Sequence, residues 1–166
     1  MNNTSDNAKN DGDGDNKNIK RCGKIKKFDK DLHEKYDIPA RDKVKELLGD
    51  YICDNPDTYG EDMILNIPES KYKFLELQVC ASWTEDRFPF SKPYIYERKM
   101  KFSNKCLFLL FNKNLTKGLL FSRDTIVGKP KRFKKYSREF IYDIQWSKVI
   151  QVSMDDFDKD TVLLYN

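Results

Sequence analysis

A single glutamate within an apolar run is the position in this sequence that most needs a chemical explanation. Glu76 lies between Leu75 and Leu77, and Gln78 follows two positions later. Successive side chains of a β-strand alternate between its faces, so Glu76 and Gln78 share one face. A carboxylate among apolar residues is costly unless it is paired, solvated or bound to a metal. Glu76 is therefore a candidate functional residue.

A basic segment, residues 129–138, is the second feature with a chemical signature. It contains no acid and six cations, namely Lys129, Lys131, Arg132, Lys134, Lys135 and Arg138. Phe133 and Tyr136 stand between them. Clustered cations neutralise phosphates, and aromatic rings stack on unpaired bases, so the segment predicts contact with nucleic acid. The alternative is a solubilising surface loop whose two aromatic rings pack into the core.

The elements that must position Glu76 begin with one helix. Apolar residues recur at helical spacing between Val44 and Ile52, and the helix is expected to start near Asp37 and to end before Asn55-Pro56. A short strand over 61–67 and a long strand over 72–83 are expected to follow, separated by a turn.

This order of elements resembles the core of the PD-(D/E)XK nuclease-like family. In that core a helix precedes a strand with an acid, and the next strand carries Glu-x-Lys. Here the helix is 41–53, the first acid is Asp62, and Glu76-Leu77-Gln78 stands at the second motif. Some members of the family have glutamine where most have lysine. The resemblance covers about residues 37–102, and it implies a restriction-endonuclease-like core that hydrolyses phosphodiester bonds.

The resemblance also implies roles for individual residues. Asp62 and Glu76 would be metal ligands, with Mg²⁺ as the cofactor, and Gln78 would orient the attacking water. Neutral glutamine cannot supply the positive charge of the family's lysine. Three cations on an expected strand over 94–102 could replace it, namely Arg98, Lys99 and Lys101. Of these, Lys99 is taken as the catalytic candidate.

The register of the two strands decides whether such a site can form. If Asn66 opposes Tyr72 in an antiparallel pair, then Asp62 lies opposite Glu76, and directly opposed residues share a face. A slip of one residue places the two carboxylates on opposite faces of the sheet. The alternative to a metal site is that Asp62 only starts a strand and Glu76 pairs with a lysine across the sheet.

The rest of the sequence favours strands. The expected elements are a hairpin of 106–112 and 118–123, a basic loop over 128–135 and a strand over 140–146, which 148–152 either continues or follows as a further strand. A turn or helix start over 155–160 and a terminal strand or docked tail over 162–165 complete the order. One helix followed by many strands predicts an α+β domain with a largely antiparallel or mixed sheet.

Composition excludes several classes of protein. The longest apolar run, 106–111, is far too short to span a membrane, and no membrane partner is expected. One histidine and four widely spaced cysteines do not make a usual zinc pattern, and they favour reduced thiols in an intracellular, non-secreted protein of the cytoplasm, nucleus or virion. Residues 1–18 are almost wholly polar and are expected to be a disordered tail before a single domain, 19–166.

The net charge is only +4, so the distribution of charge is more informative than its total. The composition, rich in lysine and asparagine, looks like that of small proteins of large DNA viruses. The sequence therefore favours a nucleic-acid-binding protein, with DNA preferred. It is expected to be nuclease-like and magnesium-dependent, in an active or a degenerate form. The alternative is a non-enzymatic β-rich interaction or structural module, associated with a virus particle.

Overall fold

The computed structural model describes residues 28–165, so the tail expected over 1–18 lies outside the described residues. A helical stretch opens the fold, in which α1 (Lys30–Leu32) passes through a π-helical turn (His33–Asp37) into α2 (Ile38–Leu48). The Asp29 side chain accepts hydrogen bonds from the first-turn amides of this stretch. The helix start expected at Asp37 is therefore wrong. The π-helical turn ends two residues before Pro39, which has no backbone N–H to donate to the preceding helical turn.

The helix ends earlier than expected. Gly49 adopts a φ of +53° after α2, a left-handed conformation that favours glycine. A 3₁₀ turn (Gly49–Tyr51) then leads into strand β1 (Ile52–Asp54). The sequence had predicted helix for these residues. Val44 and Leu48 are buried, as the apolar spacing predicts.

A six-stranded mixed sheet forms the centre of the molecule. Its order is β1, β2 (Met63–Leu65), β3 (Phe74–Val79), β5 (Cys106–Phe111), β6 (Lys117–Ser122) and β9 (Ile150–Ser153). Strands β3 and β5 are parallel, and the other neighbours are antiparallel. A parallel pair needs a long crossover, and the chain makes this crossover through residues 80–105.

A second sheet of three strands takes its first strand from within this crossover. Its order is β4 (Tyr94–Tyr96), β8 (Phe140–Ile144) and β7 (Ile126–Arg132), all antiparallel. The basic loop expected over 128–135 is wrong for its first part, because residues up to Arg132 belong to β7. The strand expected over 94–102 is also wrong beyond Tyr96, where a 3₁₀ helix (Glu97–Lys101) begins.

The main sheet separates two apolar clusters. Leu75 and Leu77 pack with α2, whereas Phe108 and Phe121 pack on the other face towards the small sheet. Of the terminal strand or docked tail expected over 162–165, the strand is wrong, because helix α3 (Lys159–Leu163) forms there after an Asp158 capping box. The segment is docked, since Val162 is buried. The fold class is α+β, as the sequence predicts. Within residues 28–165, no helix is long and apolar enough to cross a membrane.

Candidate functional site

Asp62 and Glu76 meet where β2 and β3 begin to diverge. Met63 pairs with Leu75, and the same register continued by one pair places Asp62 opposite Glu76. The Asp62 backbone N–H donates a hydrogen bond of 3.0 Å to Glu76 Oε2. Of the two registers that the sequence left open, the structure adopts the one that brings the two carboxylates together.

Each of the four carboxylate oxygens accepts a hydrogen bond from the protein. Asp62 Oδ1 accepts from Arg41 at 2.6 Å, and Asp62 Oδ2 accepts from the Leu77 backbone N–H at 2.9 Å. Lys99 donates to Glu76 Oε1, and the Asp62 N–H holds Oε2. Two cations therefore neutralise two anions, and the group formed by Arg41, Asp62, Glu76 and Lys99, here called the charge network, carries no net charge.

The 3₁₀ helix that replaces the expected strand is what brings Lys99 to Glu76. Of the neighbouring cations, Arg98 pairs with Glu139 at 3.6 Å. Lys101 lies over the Phe102 ring, which Lys99 also contacts. Behind the 3₁₀ helix, the buried Glu61 side chain accepts a hydrogen bond of 2.8 Å from the Ser103 N–H. The residue two positions before β2 thus holds the chain just after the 3₁₀ helix.

The charge network lies largely out of solvent. Glu76 is 5% exposed and the Lys99 side chain 16% exposed. Gln78 is half-buried and, with Glu76 and Lys99, lines a hollow of about 10 Å³ that is otherwise apolar. A hollow of this size holds about one water molecule, and it cannot admit a phosphodiester.

The donor types of the charge network suit Mg²⁺, but their arrangement does not. Mg²⁺ takes hard oxygen ligands at near-octahedral geometry, and it uses one or two carboxylates together with water. Here the ammonium of Lys99 and the guanidinium of Arg41 already neutralise both carboxylates. Among residues 28–165, no group of three or more acidic, histidine or cysteine side chains could hold a metal ion.

The charges of α2 extend this network to the edge of the sheet. Arg41 reaches Asp54 of β1 at 3.5 Å in addition to Asp62, and Lys45 also pairs with Asp54. The hydrogen bond from Lys45, together with the charges of Lys45 and Arg41, lowers the pKa of Asp54 against the opposing effect of desolvation.

Burial raises the pKa of the nearby Cys106 thiol, so this thiol stays protonated.

The basic segment forms a hairpin between β7 and β8, called here the basic hairpin (residues 126–144). Arg132 pairs with Phe140, and the Phe133 N–H donates to the Glu139 carbonyl at 2.9 Å beyond that pair. Five of the six cations are exposed and Arg138 is half-buried. Lys131 pairs with Asp143 at 3.0 Å, whereas among residues 28–165 no carboxylate lies within ion-pair distance of Lys129, Lys134 or Lys135.

The two aromatic residues of the basic segment support the hairpin. The Phe133 ring contacts the rings of Tyr94, Tyr96 and Tyr136, with centroids 5.3, 5.7 and 6.0 Å apart. The Lys135 ammonium lies 5.5 Å from the Tyr136 ring centroid. These contacts fix the tip of the hairpin against β4. The hairpin is thus continuous with the charge network, since β4 leads directly into the 3₁₀ helix that carries Lys99.

Sequence reasoning missed Arg41, Glu61 and a hollow of about 710 Å³. Arg41 and Glu61 act on residues 21 and 42 positions away, and no local pattern marks such contacts. The hollow is open and is walled by Arg87, Phe88 and Trp146 among others. The aromatic and proline residues between 83 and 93 were the available signal for it.

In comparisons with known proteins, no family model, no curated protein and no solved structure matches this chain.

Proposed function

We propose that this protein binds nucleic acid through the basic hairpin. One observation carries the proposal: a β-hairpin presents five exposed cations, and no acid lies between 129 and 138. Lysine and arginine side chains that neutralise phosphates release condensed counterions, and this release drives binding without regard to sequence. The packed aromatic rings hold the backbone beneath these cations, so little ordering is required on binding.

The basic hairpin holds six cations against two acids, so its net charge is positive, and both acids are already ion-paired. Asp143 is bound by Lys131, and Glu139 is bound by Arg98 from the 3₁₀ helix. Lys101 is exposed on that helix, so one further cation lies between the hairpin and the charge network.

The test uses the full chain and a labelled 20-base-pair DNA duplex in fluorescence anisotropy at low salt. Binding should weaken steeply as salt is raised, and the variant K134Q/K135Q should weaken it further. The control K105Q/K113Q removes the same charge from exposed positions on the loops that flank β5 and should bind as the unchanged protein does. No binding, or equal loss in both variants, would contradict the proposal and favour a non-enzymatic interaction module.

A second candidate is a magnesium-dependent hydrolase of the PD-(D/E)XK type at Asp62 and Glu76. The observation that favours it is the register, which places the two carboxylates opposite each other with a lysine beside them. It requires that Lys99 withdraw from Glu76 before an ion can bind. Calorimetry with Mg²⁺ or Mn²⁺ tests it: binding that disappears in Glu76→Ala supports this candidate, and no binding rejects it.

A further inference from the structure

The open hollow of about 710 Å³, called here the aromatic hollow, takes no part in the proposed function. None of the residues that line it belongs to the basic hairpin or to the charge network. We infer that the aromatic hollow binds a nucleoside phosphate, whose base stacks on its rings and whose phosphate pairs with Arg87. Ligand pockets usually measure about 300–1,000 Å³ and combine aromatic walls with a few polar groups. The aromatic hollow has both features.

Three separate segments of the chain build the aromatic hollow. Most of its lining comes from the first part of the crossover, residues 80–93, and the rest from the 3₁₀ turn after β8 (Trp146–Lys148) and from Gln151 of β9. Hydrogen bonds hold the crossover segment at both ends. An N–H of the turn between β5 and β6 donates to the Trp83 carbonyl at 2.8 Å, and an N–H of β8 donates to the Pro93 carbonyl at 2.9 Å. This anchoring before a ligand arrives lowers the ordering cost of binding.

Two of the rings that line the hollow are accessible to a ligand. Phe90 is 46% exposed, and Trp146 is half-buried. Both rings meet the buried Phe88 ring steeply, at 70° and 81°, with centroids 5.6 and 5.5 Å from it. The Trp146 indole N–H donates to the Ser91 carbonyl at 2.6 Å, so the polar edge of this ring is already used. What these two rings offer a ligand is therefore apolar ring surface, on which a planar base can stack.

The two charged side chains of the hollow are left without an ion-pair partner by residues 28–165. No carboxylate of those residues lies within ion-pair distance of Arg87, and no cation lies that close to Glu85. Both side chains are exposed. A guanidinium presents its donors in a planar fork that fits phosphate oxygens, and a carboxylate accepts hydrogen bonds from hydroxyl groups such as those of ribose. A ligand that joins a base, a ribose and a phosphate therefore finds a partner for each part.

The test is calorimetry of the full chain with three probes: AMP, adenosine, which lacks the phosphate, and ribose 5-phosphate, which lacks the base. AMP should bind about tenfold more tightly than either fragment, because each fragment loses one contact. Arg87→Gln should weaken AMP binding about tenfold and leave adenosine binding unchanged. Phe90→Leu, which keeps apolar bulk without a ring, should weaken both about tenfold. The matched control is Lys92→Gln, an exposed position of the same segment outside the hollow, which should bind AMP as the unchanged protein does.

A nucleoside phosphate can be free or can be one unit of a single strand, and a short oligoadenylate separates these two sources. If the oligoadenylate binds more tightly than AMP and Arg87→Gln removes this gain, the hollow holds a nucleotide within a strand. If AMP binds as tightly as the oligoadenylate, the hollow holds a free mononucleotide.

Other results would overturn the inference. Equal binding of AMP and adenosine, or unchanged AMP binding in Arg87→Gln, would show that Arg87 does not hold the phosphate. Ribose 5-phosphate that binds as tightly as AMP would show that the rings do not hold the base. Tighter binding of phosphocholine than of AMP would show that the rings enclose a quaternary ammonium instead. A full chain that does not bind AMP refutes this inference alone, since separate variants test the basic hairpin.

Discussion

The ion pair between Lys99 and Glu76 offers the sharpest test of the charge network. Lys99→Met removes the ammonium and keeps most of the apolar stem, so it leaves the Glu76 carboxylate, 5% exposed, with the Asp62 N–H as its remaining donor. Glu76→Gln instead leaves an ammonium on a side chain that is 16% exposed and can turn towards water. The two substitutions should therefore differ in cost.

The magnitude follows from burial. A charge pair about 4 Å apart gains about 4 kcal/mol at an effective dielectric constant of about 20, before desolvation is subtracted. Removing one partner of a buried pair costs about 3–5 kcal/mol, because the other charge is left uncompensated. Because Glu76 keeps one backbone hydrogen bond, Lys99→Met should cost about 3 kcal/mol in the free energy of unfolding, at the lower end of that range. Glu76→Gln, which leaves a more accessible charge, should cost about 1–2 kcal/mol.

Urea unfolding of the two single variants and the double variant measures the coupling directly. The double variant leaves no lone charge, so its cost should be about 1–2 kcal/mol, well below the sum of the single costs. With an m-value of about 2 kcal/mol per molar urea, Lys99→Met should lower the unfolding midpoint by about 1.5 M. Lys101→Met in the same 3₁₀ helix is the matched control, since this exposed lysine should change stability by no more than about 0.5 kcal/mol. Additive costs, or a Lys99→Met variant as stable as the control, would show that the two side chains are not paired in solution.

Three further changes test neighbouring parts of the structure. Arg41→Lys should lower the free energy of unfolding in urea by about 1–2 kcal/mol, because an ammonium cannot bind both the carboxylate and the carbonyl of Asp62 as the guanidinium does. A variant as stable as the unchanged protein would contradict the role of Arg41 in the charge network. Tyr165→Phe should cost a similar amount, about 1–2 kcal/mol, because the hydroxyl shares its one hydrogen between a carbonyl of β6 and one shortly before β9. An unchanged melting temperature would show that this contact of Tyr165 is not formed. Burial raises the pKa of Tyr94 to about 12, so the folded state keeps a proton that the unfolded chain loses near pH 10. The free energy of unfolding should therefore fall as pH rises from about 10 to 12, and it should fall less in Tyr94→Phe. Melting temperatures measured across this range test the prediction, and an equally steep fall in Tyr94→Phe and in the unchanged protein would contradict it.

Hydrophobic patterning was enough to predict the α+β class and most of the strands. The apolar spacing of Val44 and Leu48 gave the buried side of α2, and the long apolar runs of β3, β5 and β6 gave the centre of the sheet. The 106–112 and 118–123 hairpin was also predicted correctly, because both strands are buried and the turn between them is polar. These signals are local, and burial of apolar surface enforces them.

Local patterns failed where a distant contact decides the conformation. The run Tyr94 to Phe102 alternates like a strand, yet it becomes a 3₁₀ helix after Tyr96. Two buried carboxylates hold this helix: Glu76 takes a donor from Lys99 within it, and Glu61 takes the N–H of Ser103 just after it. The basic segment, in turn, reads as a loop from its charges, but Phe133 anchors it to the tyrosines of β4 and its first part pairs as a strand.

The sequence by itself determined which residue types were available for chemistry: two carboxylates, one glutamine beside them and a run of cations. The tertiary structure decided what those residues do to one another. Register placed Asp62 opposite Glu76, and the parallel crossover carried Lys99 into the position next to it. Because a buried charge is costly unless it is compensated, the fold neutralises both carboxylates internally, whereas Lys129, Lys134 and Lys135 of the basic hairpin stay exposed to solvent.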